Sequence, residues 1–152
     1  MEYSISDNSM LDLPETKFGS VGIDLPTRSG YEYIPPGAVR TINTGVTFKF
    51  PMFGRVRRAL YKIILGVDVI GIGGLIWPRS RHNTIVLAGV VDPDYRGEVK
   101  VKVYNPTNDS IVVTGKIAQL VPILAVNTNL KRVDDISKDT PRGDSGGIND
   151  IR

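Results

Sequence analysis

The feature that most constrains this chain is the spacing of its turn clusters. "PTRSG" (26–30), "IPPG" (34–37), "WPRS" (77–80), "DPD" (92–94), "NPTND" (105–109) and "VTGK" (113–116) cut it into short runs rich in Val, Ile, Thr and Phe. Gly, Pro, Asn and Asp end strands because they supply turn geometry or remove a ladder donor. Inside the runs the period is two. In "GVTFKF" (45–50) Val46, Phe48 and Phe50 share one face, with Thr47 and Lys49 on the other. In "EVKVKVY" (98–104) Val99, Val101 and Val103 point inward and Lys100 and Lys102 outward. No segment holds a helical period over three turns, and no internal repeat is visible. Many short strands at this spacing predict an all-β sandwich or barrel. At 152 residues the chain is long enough for one domain with a real core.

Several function classes fall away on composition. There is no cysteine, which removes disulfides, thiolate metal sites and cysteine nucleophiles together. The net charge of +3 is too small a surplus to argue for nucleic acid as a partner. "MEYSISDNSM" has neither a basic start nor an apolar core, so no signal peptide is expected. The longest apolar run, "IILGVDVIGIGGLIW" (63–77), has 15 residues, holds Asp68 and carries four glycines. A membrane span needs about 20 apolar residues, so the run reads as a buried strand pair with a glycine bend, and no membrane partner is expected. The same features suggest an intracellular, cytoplasmic setting.

The end of the chain differs from the rest. "SKDTPRGDSGGINDIR" (137–152) is polar, Gly-rich and nearly without apolar anchors. Such a segment cannot bury enough surface to fix itself. Residues 1–136 are therefore read as the domain and 137–152 as a flexible arm, either a frayed terminus or a cover for a ligand or a neighbouring subunit.

The candidate chemistry centres on "GVVDPDYRG" (89–97). Residues 84–91 read as one strand and 97–104 as the next, which makes this a hairpin. Asp92 and Pro93 suit the first two positions of a type I turn, so the turn alone accounts for Asp92. It does not account for Asp94 or for the large ring of Tyr95.

This stretch resembles the central motif of the trimeric dUTPase family, a Gly-φ-φ-Asp-x-Asp-Tyr-x-Gly pattern in which φ is apolar. "GIDLPT" (22–27) resembles the family's first motif, "PRS" (78–80) its second, "GKIAQLV" (115–121) its fourth and "RGDSGG" (142–147) its glycine-rich fifth. Each match is short, but all five fall in the family's order from residue 22 to 147. The resemblance implies a jelly-roll-like β-barrel and a homotrimer with active sites between subunits. It also implies hydrolysis of dUTP to dUMP and pyrophosphate with Mg²⁺.

By the same resemblance Asp92 is the general base for a water attacking the α-phosphate. A carboxylate must accept that water's proton, and cations must offset the charge of the triphosphate. Arg79, Ser80, Gln119 and Arg142 then hold phosphate oxygens. Tyr95 lies against the deoxyribose. Main-chain groups from Gly89 and Val90 to Lys100 read uracil. Asp24 supports the site and meets the metal only through water. Asp94 orients the central motif.

The pattern breaks in three places. Arg81 stands where the family has glycine after Pro-Arg-Ser, followed by the lone His82, which reads as a solvated loop residue. Residues 55–76 insert extra chain before the second motif; "RVRR" (55–58) reads as a basic edge. "GIGGLI" (71–76) lacks the last glycine and the alternation of a dinucleotide site. In the fifth motif Gly147, Ile148 and Asn149 stand where the family has an aromatic ring followed by Gly-Ser, so stacking on the base is lost unless Ile148 covers the uracil instead. Two rival readings remain open: a relative of the dCTP deaminases, and a binding or regulatory protein that keeps the fold with weakened catalysis.

Overall fold

The computed structural model describes residues 1–6, 12–79, 84–134 and 136. Two antiparallel four-stranded sheets face each other in a jelly-roll-like all-β fold. The strands are β1 (Glu2–Ile5), β2 (Ile23–Ile34), β3 (Val39–Lys49), β4 (Val69–Pro78), β5 (Ile85–Leu87), β6 (Gly89–Val91), β7 (Glu98–Tyr104) and β8 (Ile111–Val126). One sheet runs β1-β3-β7-β5 and the other β2-β8-β4-β6. The expected alternation holds: Val99, Val101 and Val103 are buried while Lys100 and Lys102 are exposed. Together with Leu25, Ile34, Ile42, Val46 and Leu120 they fill the space between the sheets.

Asn105 ties the corner after β7. Its side chain is wholly buried. Its amide nitrogen donates to the carbonyls of Ile34, Pro35 and Asp109 at 3.0, 3.1 and 2.8 Å. Its oxygen accepts from the Thr107 N–H at 3.0 Å. Four main-chain groups thus turn on one side chain, because the corner's own backbone cannot pair them.

Three sequence expectations are corrected. First, residues Arg55–Leu65 form a helix, α1, although no helical period was evident. Val56, Leu60, Ile63 and Ile64 do follow a helical spacing, but it spans one short segment, and the helix buries no residue. The "RVRR" stretch is its first turn rather than a strand edge. Gly66, at φ +72, closes it and donates to the Lys62 carbonyl at 3.0 Å. Second, residues 63–77 are not a strand pair: the helix ends inside the run and the remainder is the single strand β4. Its glycines serve close approach. A Cβ on Gly71 would lie 2.7 Å from the Pro51 carbonyl, and one on Gly73 would lie 2.8 Å from the Val91 carbonyl.

Third, residues 84–91 are not one strand. β5 pairs with β7 in one sheet, and after Ala88 the chain moves to the other, where β6 pairs with β4. The "DPDYRG" segment therefore crosses between sheets and is not a hairpin tip. Gly89 permits the move, since its missing side chain leaves room for Ile76 of β4. Among the described residues no helix is long and apolar enough to cross a membrane.

Candidate active site

The switch of sheets after Ala88 creates a cavity. The β5–β7 ladder runs through Ile85↔Tyr104, Val86↔Val103 and Leu87↔Lys102, then stops. Beyond it the two chain segments diverge around a space of about 300 Å³. Gly89, Val90, Asp92, Tyr95 and Lys100 all line it, together with Glu98 and Ile76. Five of the residues chosen from sequence thus converge on one cleft. Asp92 is exposed at its rim, and its carbonyl accepts the Tyr95 N–H at 3.1 Å, closing the expected tight turn.

Tyr95 is held over the backbone. Its hydroxyl donates to the Glu98 carbonyl at 3.0 Å. The ring occupies the space a side chain at Gly97 would take: a Cβ there would lie 2.4 Å from the hydroxyl oxygen. Gly97 is thus the seat of Tyr95, a role the motif's final glycine hinted at and sequence reading did not assign. Glu98 braces the cleft's floor, its Oε1 accepting the Gly45 N–H at 2.7 Å. Arg96 turns back to donate to the Pro93 and Tyr95 carbonyls, both at 2.8 Å. Asp94 is exposed and does not line the cleft.

A second cleft, of about 510 Å³, gathers Asp24, Arg79 and Gln119. Sheet order explains the grouping. Gln119 on β8 lies opposite Asp24 on β2 and Trp77 on β4. Arg79 Nε pairs with Asp24 Oδ1 at 2.9 Å, and its Nη1 donates to the Lys116 carbonyl at 2.9 Å. The guanidinium is therefore fixed in place beside the cleft. Gln119 donates to the Pro78 carbonyl at 2.9 Å. It packs on Gly22, where a Cβ would fall 2.2 Å from its Oε1. Lys17, Ser20 and Trp77 also line this cleft and were not singled out from sequence. Lys116, which forms an ion pair with Glu15, adds a further cation nearby.

Among the described residues none lines both clefts. One chain thus carries a cleft with the acid and the tyrosine, and a separate cleft with the cation and amide. Ser80, Arg81, His82, Arg142 and Ile148, and the arm 137–152, lie outside the described residues. Among the described residues no group of three or more Asp, Glu or His side chains is placed to hold a metal ion.

The dUTPase family model matches residues 12–148. A deoxyuridine 5'-triphosphate nucleotidohydrolase of Arabidopsis thaliana is 35% identical over 129 residues, covering 80% of this chain and 73% of that protein. One of Bdellovibrio bacteriovorus is 29% identical over 140 residues, covering 89% and 85%. In fold, the chain is similar to a Staphylococcus bacteriophage 80alpha dUTPase mutant solved with dUpNHpp. The TM-score is 0.73 at 17% identity, over 96% of this chain and 95% of that one. The chain belongs to the dUTPase family.

Proposed function

We propose that the two clefts are the halves of a dUTP diphosphatase site, with Asp92 as its general base. dUTP is hydrolysed to dUMP and pyrophosphate. The observation that carries the assignment of roles is the convergence of Asp92 and Tyr95 on a cavity walled by backbone whose ladder has opened. Backbone donors and acceptors at fixed spacing suit a pyrimidine edge. Cytosine presents a donor where uracil presents an acceptor, and each group left unpaired costs about 1–3 kcal/mol, roughly tenfold or more in discrimination. The Tyr95 ring against the sugar leaves no room for a 2′-hydroxyl.

Asp92 takes a proton from a water aligned on the α-phosphorus. The new bond joins that water's oxygen to phosphorus, the α–β bridging bond breaks, and the electron pair leaves with pyrophosphate. Arg79 and the Gln119 amide hold phosphate oxygens in the second cleft, where a fixed guanidinium acts without reorganising. As the family resemblance implies, the complete site forms between subunits of a homotrimer, an arrangement that two clefts without a common lining residue among the described residues accommodate. In that assembly the first cleft of one chain faces the second cleft of another, and Ser80, Arg142 and Ile148 complete the cover.

The donor set suits Mg²⁺ held mainly by substrate. Asp24 already bonds Arg79, so it would help hold a cation only through water, as a metal that dehydrates reluctantly allows. Bound Mg²⁺ offsets phosphate charge.

Pyrophosphate release from dUTP, dCTP, dTTP and UTP tests the reading in one experiment. dUTP alone should be turned over rapidly, and Asp92→Asn should abolish that turnover while preserving nucleotide binding. Equal rates on dUTP and UTP, or full activity of Asp92→Asn, would remove these assignments.

A further inference from the structure

The helix α1 presents its apolar side to solvent. Val56, Leu60, Ile63 and Ile64 are 86, 54, 81 and 66% exposed. Their spacing places them on one arc of the helix. The opposite side holds the helix to the body. Tyr61 stacks on Phe53 with centroids 5.4 Å apart, and Arg58 grips Asp68 of the following turn, its Nε 2.9 Å from the carboxylate. The arc therefore points away from the barrel and takes no part in folding it.

Charge decides what fits the arc. The helix carries Arg55, Arg57, Arg58 and Lys62 and no acidic residue. Three of those cations stand in its first turns, at the end where the helix dipole is already positive. Only Arg58 is in an ion pair among the described residues; Arg57 lies over the Phe53 ring, and Arg55 and Lys62 form none. Around the helix, Arg57 and Arg55 fall on the two flanks of the arc. A second copy of the same helix would bring these cations face to face. A groove in an acidic protein would be expected to meet an aromatic or arginine anchor at the centre of the patch, and here the centre is aliphatic while Tyr61 is spent on Phe53. An aliphatic arc bordered by cations is the pattern of a helix lying in a lipid interface.

We propose that α1 docks the protein on an anionic lipid surface, its aliphatic arc among the acyl chains and its cations against the headgroups. This departs from the sequence expectation of no membrane partner, which rested on the lack of a spanning segment; a helix lying flat is a different mode of contact.

Co-sedimentation of the full chain with vesicles tests this. Phosphatidylcholine vesicles containing phosphatidylserine should carry the protein down; pure phosphatidylcholine vesicles should not. The double variant Val56→Asp/Ile63→Asp should lose more than about tenfold in lipid affinity, with melting temperature and dUTP turnover unchanged because both residues are exposed. Arg55→Gln and Lys62→Gln should each lose about fivefold, an effect that fades at high salt. Three results would overturn the proposal: no sedimentation with either vesicle, equal sedimentation with both, or vesicle binding that survives the double variant. Loss in the double variant of the trimer, or of any assembly larger than it, in size-exclusion chromatography, or tight capture of an acidic amphipathic peptide without vesicle binding, would assign the arc to a protein contact instead. These readouts do not depend on dUTP hydrolysis, so they stand apart from the assignment of the active site.

Discussion

Gly97→Ala is the sharpest test of how the first cleft is built. The added Cβ would sit 2.4 Å from the Tyr95 hydroxyl oxygen, 2.6 Å from Cζ and 3.1 Å from Cε2. Carbon contacts settle near ~3.5–4.0 Å, so the ring must recede by about 1 Å. Tyr95 is 44% exposed, so it has somewhere to go. The hydrogen bond from its hydroxyl to the Glu98 carbonyl is lost, at about 0.5–1.5 kcal/mol. Gly97 does not have a positive φ. Alanine therefore recovers about 0.4–1 kcal/mol by restricting the unfolded chain. The two effects nearly cancel, and the melting temperature should hardly move. Function should suffer far more. Misplacing a substrate-positioning group by about 1 Å can cost ~10²-fold, which corresponds to about 2.7 kcal/mol in the barrier. Pyrophosphate release should show that loss in kcat/KM for dUTP, with a smaller loss for UTP because the ring no longer blocks a 2′-hydroxyl. Tyr95→Phe keeps the ring in place and should retain most of the discrimination. If Gly97→Ala leaves the dUTP-to-UTP ratio untouched, Tyr95 does not read the sugar. If it unfolds the protein, the ring is a structural pin.

Two further outcomes follow from contacts away from the cleft. Asn105→Ala removes the partner of three carbonyls and one N–H at a buried corner. It should destabilise the fold by about 3–5 kcal/mol, read as a fall of the melting temperature by ~10 °C; a loss below ~1 kcal/mol would show that water replaces the amide. Asp68 is held down to about 2, first by its hydrogen bond with Arg58 and then by the Asn127 amide. A lowered folded value means that its contribution is fully present above the unfolded carboxylate value near ~3.9 and disappears as pH falls toward the folded one. The melting-temperature difference between wild type and Asp68→Asn should therefore be constant near neutrality and vanish through the pH range from about 4 down to about 2. A difference that persists below that window would deny the ion pair its role in seating α1.

What sequence revealed, and what it hid, divides along the range of the interactions involved. Alternation is local, so β3 and β7 were legible in Val46–Phe48–Phe50 and Val99–Val101–Val103. Asp92 and Tyr95 lie within one turn, so a single motif carried both. The choice of sheet is not local. Nothing in "TIVLAGVV" records that Leu87 pairs with Lys102 and that Val90, three residues on, pairs with Leu75 in the other sheet. The pairing of Asp24 with Arg79 likewise needs the order β2-β8-β4, which brings the ends of distant strands together.

The helix was missed for a different reason. Val56, Leu60, Ile63 and Ile64 keep a helical spacing, but only over 11 residues. Its Ile63, Ile64 and Leu65 run straight into the apolar residues of β4, so two elements read as one stretch. The same run shows why its glycines belong where they are. Gly71 and Gly73 sit under the carbonyls of Pro51 and Val91, and Gly74 sits under Leu120. An alanine at Gly73 would press on Val91, the residue directly before Asp92. The apolar run that looked most like a membrane segment is thus, over its second half, the surface that sets the height of the acid in the first cleft.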